Sequence, residues 1–214
     1  KAGAALGVAD RADTLVGCFA IGLLPTGSAD PFALRRAALG IVRTALEGPE
    51  DVKIGTTLRK AYEGYADNPN LLPVDEVIPA LEDFFRARLK SFYGERYPTD
   101  LVQACLGAWD GESVRDLDAR IVAVAEFRGL PEYESLAVAF KRAFNIARDA
   151  PDGDPDEALF TEDAEKALSV AFSRLRSKVD DNIRRGAYEE ALGAVARDLR
   201  APIDRFFDEV MVMV

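Results

Sequence analysis

Apolar residues recur at three- and four-residue spacing along most of this chain, and no run alternates with period two for long enough to demand a strand. That pattern points to an all-α fold, a multi-helix bundle. Val77, Ile78, Leu81, Phe84, Phe85, Leu89 and Phe92 share one face and predict a long amphipathic helix over 75–93 that stops at Gly94. Asp30-Pro31 reads as an N-cap followed by proline in the first helical position, and Gly48 as a stop, which gives a helix over about 31–47. Thr99 or Asp100 can cap a short helix through Leu106, Asp116 can open the next, and Pro131 the one after. Thr161-Glu162-Asp163 begins another helix, with acids placed well for its dipole. Gly186 breaks the last long segment, and Pro202 restarts it after Ala201. Residues 49–52 and 66–73 read as interhelical loops.

The 214 residues are 49% apolar, enough to bury a sizeable core and to build one or two domains. No apolar run approaches the roughly 20 residues that cross a bilayer, and no signal-peptide pattern opens the chain, so the expectation is a soluble, cytoplasmic protein with no membrane partner. Cys18 and Cys105 stand far apart without metal-ligand spacing and read as small buried hydrophobes. The net charge of −10 runs against the basic footprint of most nucleic-acid binders. Its distribution matters more. Residues 1–48 carry 5 basic and 4 acidic side chains and 115–150 carry 6 of each, whereas 49–114 carry 7 and 12, and 151–214 carry 9 and 15.

The segment 118–146 holds two amphipathic helical stretches joined by Gly129-Leu130-Pro131. At about 100° per residue from Lys141, Asn145 falls near 40°, Arg148 near 340° and Arg142 near 100°. Leu136, Ala139, Phe140, Ala143, Phe144, Ile146 and Ala147 fill the arc from about 140° to 300° and predict the packed side. Lysine and arginine can hold phosphates, and asparagine or arginine can read the edge of an unpaired base. Any surface helix can show such residues, so periodicity by itself favours a plain solvated face. Arg120 flanks the packed side of its own helix, where pairing with a carboxylate of a neighbouring helix competes with RNA contact. Arg35 and Arg36 suit either a nucleic-acid backbone contact or an interdomain salt bridge.

Three separated stretches carry a family resemblance. They are Asp10-Arg11-Ala12-Asp13-Thr14-Leu15-Val16-Gly17 with Gly27-Ser28-Ala29-Asp30-Pro31-Phe32-Ala33-Leu34-Arg35-Arg36-Ala37-Ala38-Leu39-Gly40, the 118–146 segment, and Phe206-Phe207-Asp208-Glu209-Val210-Met211-Val212-Met213. In order and spacing they resemble the β subunits of bacterial glycyl-tRNA synthetases, the middle one resembling the anticodon-binding DALR module. The resemblance implies three segments. Residues 1–48 would form the carboxyl-terminal part of an HD-like helical domain, 49–114 a helical connecting region, and 115–214 a DALR-type domain truncated at its carboxyl end. It also implies a fragment of a longer protein. The expected site residues are Lys141, Arg142, Asn145 and Arg148, with Arg120, Arg35 and Arg36, all toward tRNA. The family motif runs Ala-Asn-Lys-Arg-x-x-Asn-Ile, and here Phe140 stands at the first Asn.

Ala9-Asp10 resembles the last metal-ligand aspartate of an HD domain, which in active phosphohydrolases works with histidines; this chain has none. Asp10 and Asp13 are therefore expected to support packing or ion pairs. The loop Ala150-Pro151-Asp152-Gly153-Asp154-Pro155-Asp156 lacks the calcium-loop order, because its glycine comes too early and prolines interrupt it. No phosphate loop and no nucleophile with a partnered base is present. The expectation is a non-catalytic, tRNA-recognising piece of a ligase with no metal or cofactor of its own. By resemblance, aminoacylation then occurs on a separate α subunit of an α/β heterotetramer, with ATP, magnesium and glycine. Two competing readings are a structural helical module that holds the β subunit together or docks onto the α subunit without direct RNA contact, and a degenerate HD phosphohydrolase.

Overall fold

The computed structural model describes residues 2–65, 68–148 and 153–210. Among these it contains nine α-helices: α1 Ala2–Ala20, α2 Leu34–Glu47, α3 Ile54–Glu63, α4 Val74–Gly94, α5 Thr99–Gly107, α6 Val114–Arg128, α7 Glu132–Ala147, α8 Asp163–Arg184 and α9 Tyr188–Glu209. A single 3-10 turn, Glu157–Leu159, precedes α8. The all-α expectation holds. No helix among the described residues is long and apolar enough to cross a membrane. The chain divides into two compact units, Lys1–Ile121 and Val122–Val214.

In the first unit α4 supplies the central stripe that its spacing predicts: Val77, Ile78, Leu81, Phe85 and Leu89 are buried, and Phe84 meets Phe19 of α1 edge to face at 5.3 Å. Around it pack Leu15, Val16 and Phe19 of α1, Leu34, Ile41 and Val42 of α2, and Leu58 of α3. The remaining polar groups close the joints. Arg115 donates from Nε to the Ala45 carbonyl at 2.7 Å and from Nη2 to the Gly48 carbonyl, satisfying the end of α2. Arg86 donates to the carbonyls of Leu106 and Trp109, holding the turn after α5. Ser113 Oγ donates to Asp51 and accepts from the Asp116 amide at 3.1 Å, so serine rather than Asp116 caps α6.

The start of α2 differs from the expectation of 31. Pro31 and Phe32 form a turn closed by the Ala33 amide on the Asp30 carbonyl, Ala33 lies at φ 55°, and the helix begins at Leu34. Asp30 still caps it, because both carboxylate oxygens reach past the turn and accept from the amides of Leu34 and Arg35 at 2.8 and 3.1 Å.

In the second unit α8 and α9 form a hairpin. The break at Gly186 is as expected: the glycine takes φ 69°, and the Ala187 amide closes onto the Asn182 carbonyl. Glu162 and Glu165 form the capping box that opens α8. Pro202 does not restart a helix; α9 runs through it unbroken. Leu199 and Ile203 lie on the same buried face on either side of the proline, and that packing carries the helix across the missing hydrogen bond.

The core of this unit comprises Ala139, Leu175, Ala194, Leu199 and Ile203, with Phe127, Leu136 and Ala196 in a second cluster. Alanines on α7 and α9 let those helices approach closely, so only a narrow stripe of α7 is covered. Leu136 and Ala139 are buried, while Phe140 is 48% and Phe144 65% exposed, and Ile146 and Ala147 also face outward. The expected packed arc is therefore too wide. Periodicity marks an apolar face, but burial needs neighbours on both flanks, and α7 has its main contact with α9 on one.

Candidate functional site

Glu132 and Glu134 in its first turn complement the dipole of α7, which the chain enters from Pro131. Its outward side carries Lys141, Asn145 and Arg148, all exposed, in the order that the helical spacing predicts. Arg142 has another engagement. Its guanidinium carbon lies 4.0 Å from the ring centroid of Phe207 on α9, a cation–π contact within the same unit. Phe206 and Phe207 meet edge to face at 5.5 Å, which fixes the ring that Arg142 covers.

Beside this contact a shallow cleft of about 310 Å³ is lined by Arg142, Asn145, Ile146, Phe207 and Val210. Two stretches far apart in sequence, 142–146 and 207–210, thus meet at one place. Met211, Val212 and Met213 lie outside the described residues. The cleft offers a guanidinium plane, an amide with donors and acceptors, and an aromatic edge, and Lys141 stands one turn away. Those groups can hydrogen-bond or stack on a planar heterocycle and neutralise a phosphate beside it. Spacing along α7 indicates Lys141, Arg142 and Asn145. Phe207 was missed as a site residue because nothing local to α9 signals which helix its ring will face.

The remaining candidates lie elsewhere. Arg120 pairs through Nε with Asp116 at 2.7 Å, one turn back on its own helix rather than on a neighbouring one. Arg35 donates from Nη2 to the Gly27 carbonyl at 2.6 Å and so braces the loop before α2. Arg36 is exposed on α2. Both belong to the first unit, and Lys141, Arg142, Asn145 and Arg148 to the second.

Asp13 accepts from the Tyr65 hydroxyl at 2.9 Å, a packing role, and Asp10 is exposed. Burial raises the thiol pKa of Cys18 and Cys105; Cys105 is buried and Cys18 half-buried. Among the described residues no three histidine, cysteine, aspartate or glutamate side chains converge as a metal site. Ala150, Pro151 and Asp152 of the acidic loop lie outside those residues.

Comparison with known proteins agrees with the motifs. Residues 1–107 match the family model described as glycyl-tRNA synthetase beta subunit. A protein of Geobacter sulfurreducens named glycine–tRNA ligase beta subunit is 44% identical over 211 residues, 99% of this chain and 30% of its own length. Proteins of the same name from Desulforudis audaxviator and Aromatoleum aromaticum are 42% and 44% identical over 100% and 98% of this chain. The chain thus spans about 30% of the length of the curated relatives it matches. With the family model matching half of its residues and the relatives aligning through both units, this chain belongs to the glycyl-tRNA synthetase β subunit family.

Proposed function

We propose that this chain is a tRNA-recognising part of a glycine–tRNA ligase β subunit, and that α7 with the end of α9 contacts the anticodon loop. The observation that carries the reading is the cleft in which Arg142 covers Phe207 beside Asn145, with Lys141 and Arg148 exposed along the same helix. Unpaired bases are read by stacking and by hydrogen bonds to their edges, and the cleft supplies both kinds of group. Lys141 and Arg148 position the phosphates without specifying sequence.

The contribution to the ligase reaction is then differential binding. Cognate tRNA is held more tightly and its acceptor end is placed for reaction, and this chain makes or breaks no bond. The sequence has no glycine-rich phosphate loop, and the described residues gather no acidic cluster. The family resemblance assigns ATP, magnesium and glycine to the α subunit of an α/β enzyme.

Alanine at Lys141 and at Asn145 tests the reading against glycine tRNA and a variant with altered anticodon bases. Asn145→Ala is expected to reduce the preference between the two tRNAs, Lys141→Ala to weaken both alike, and neither to change the melting temperature. Wild-type affinity in both variants would refute anticodon contact by this face.

A second reading has its own observation. In the first unit Ile21, Leu23, Leu24 and Phe32 are exposed around the loop before α2, and such apolar groups suit docking onto another subunit. Leu24→Asp with Phe32→Asp would then abolish α-subunit association and leave tRNA affinity intact.

A further inference from the structure

Phe140 and Phe144 sit one turn apart on α7, so their side chains are surface neighbours. Both are largely exposed, at 48% and 65%. Lys141 neighbours Phe144, three residues on, and Arg148 follows Phe144 by a further turn. Lys141, Asn145 and Arg148 are exposed as well. Among the described residues no side-chain hydrogen bond or ion pair occupies Lys141 or Arg148, although the molecule as a whole has an excess of carboxylates. This strip is separate from the cleft: Asn145 lies between them, with Arg142 and Ile146 on its far side.

Two exposed rings flanked by two cations and an amide are poorly suited to solvent and poorly suited to a dry protein contact, where the charges would have to be paired or desolvated. They suit a single-stranded nucleic acid, whose bases offer flat faces to the rings while its phosphates meet the cations. The geometry points to Phe140 and Phe144 as a stacking platform for unpaired bases of the RNA, with Lys141 and Arg148 tracking the adjoining backbone. This rests on the tRNA reading above and adds to it a second contact surface that acts through base stacking.

Stacking and phosphate contact differ in their dependence on salt, which separates the roles. Binding of an anticodon stem-loop carrying 2-aminopurine in the loop is measured by fluorescence at two salt concentrations, beside melting temperatures of each variant. Phe140→Leu and Phe144→Leu keep apolar bulk but remove the ring; each is expected to weaken binding roughly tenfold with the salt dependence unchanged, and to relieve the quenching of 2-aminopurine. Phe144→Tyr keeps a ring and is expected to bind like the wild type. Lys141→Ala is expected to weaken binding and flatten the salt dependence.

Wild-type binding by both leucine variants, while Lys141→Ala binds worse, would overturn the platform and leave the tRNA reading standing. Wild-type binding by all of them would remove both. Leucine variants that melt lower and bind RNA normally would show a face covered by protein instead.

Discussion

Tyr93 is fully buried at the end of a ladder formed by Leu81, Phe85 and Leu89, each four residues from the next. The sequence reading ends that stripe at Phe92, which is only half-buried. In the fold the ring matters more than the hydroxyl. Burial, and then the nearby Asp118 carboxylate, push the phenol above its ordinary range. The folded state therefore holds this proton more tightly than the unfolded state, whose tyrosines titrate near pH 10. Stability is intact below about pH 10 and falls as pH rises beyond it, because unfolding then releases the proton. Urea unfolding between about pH 8 and 11 is expected to show this decline, and Tyr93→Phe to flatten it. At the candidate site the same contrast holds. Lys141, Asn145 and Arg148 were legible from helical spacing, whereas the engagement of Arg142 with Phe207 was not, since the two lie on helices far apart in sequence.

Helix ends show where local rules suffice and where they are displaced. The capping box of α8 and the left-handed glycine after it follow from residue types alone. At α2 the same Asp30 does the capping, yet an intervening turn shifts the helix start by three residues and leaves Ala33 in the left-handed region. A non-glycine residue there is strained by about 1–2 kcal/mol. Ala33→Gly is expected to raise the unfolding free energy by about 1 kcal/mol, since relief of strain outweighs the added freedom of the unfolded chain. Asp30→Ala leaves the two amides without their acceptor and is expected to cost about 1–2 kcal/mol. Denaturant titration of the two variants checks both signs, and a loss of about 0.4–1 kcal/mol in Ala33→Gly would mean that the turn carries no strain. In α9, tertiary packing overrides the rule that placed a break at Pro202.

For the molecule as a whole, the acid excess sets how RNA affinity must be built. With a net charge of −10 this chain supplies no long-range attraction of its own, and in the proposed reading its contact with phosphates falls to a few cations of α7. If Lys141 and Arg148 are those cations, single-strand contacts give a slope of about −1.4 in log affinity against log salt. Affinity for the anticodon stem-loop is then expected to fall roughly 7-fold between about 50 and 200 mM salt. A slope near zero would remove phosphates from the interface, and a slope steeper than about −5 would require a basic surface outside α7.

Helical class, the phase of α4, the break at Gly186 and the polar stripe of α7 were determined by sequence, because each depends on groups within a turn or two of one another along the chain. Tertiary structure decided which apolar faces are covered, that α9 continues through Pro202, and that Arg142 lies over Phe207. Those outcomes depend on which helices become neighbours, and an apolar side chain carries no local record of whether a partner will cover it.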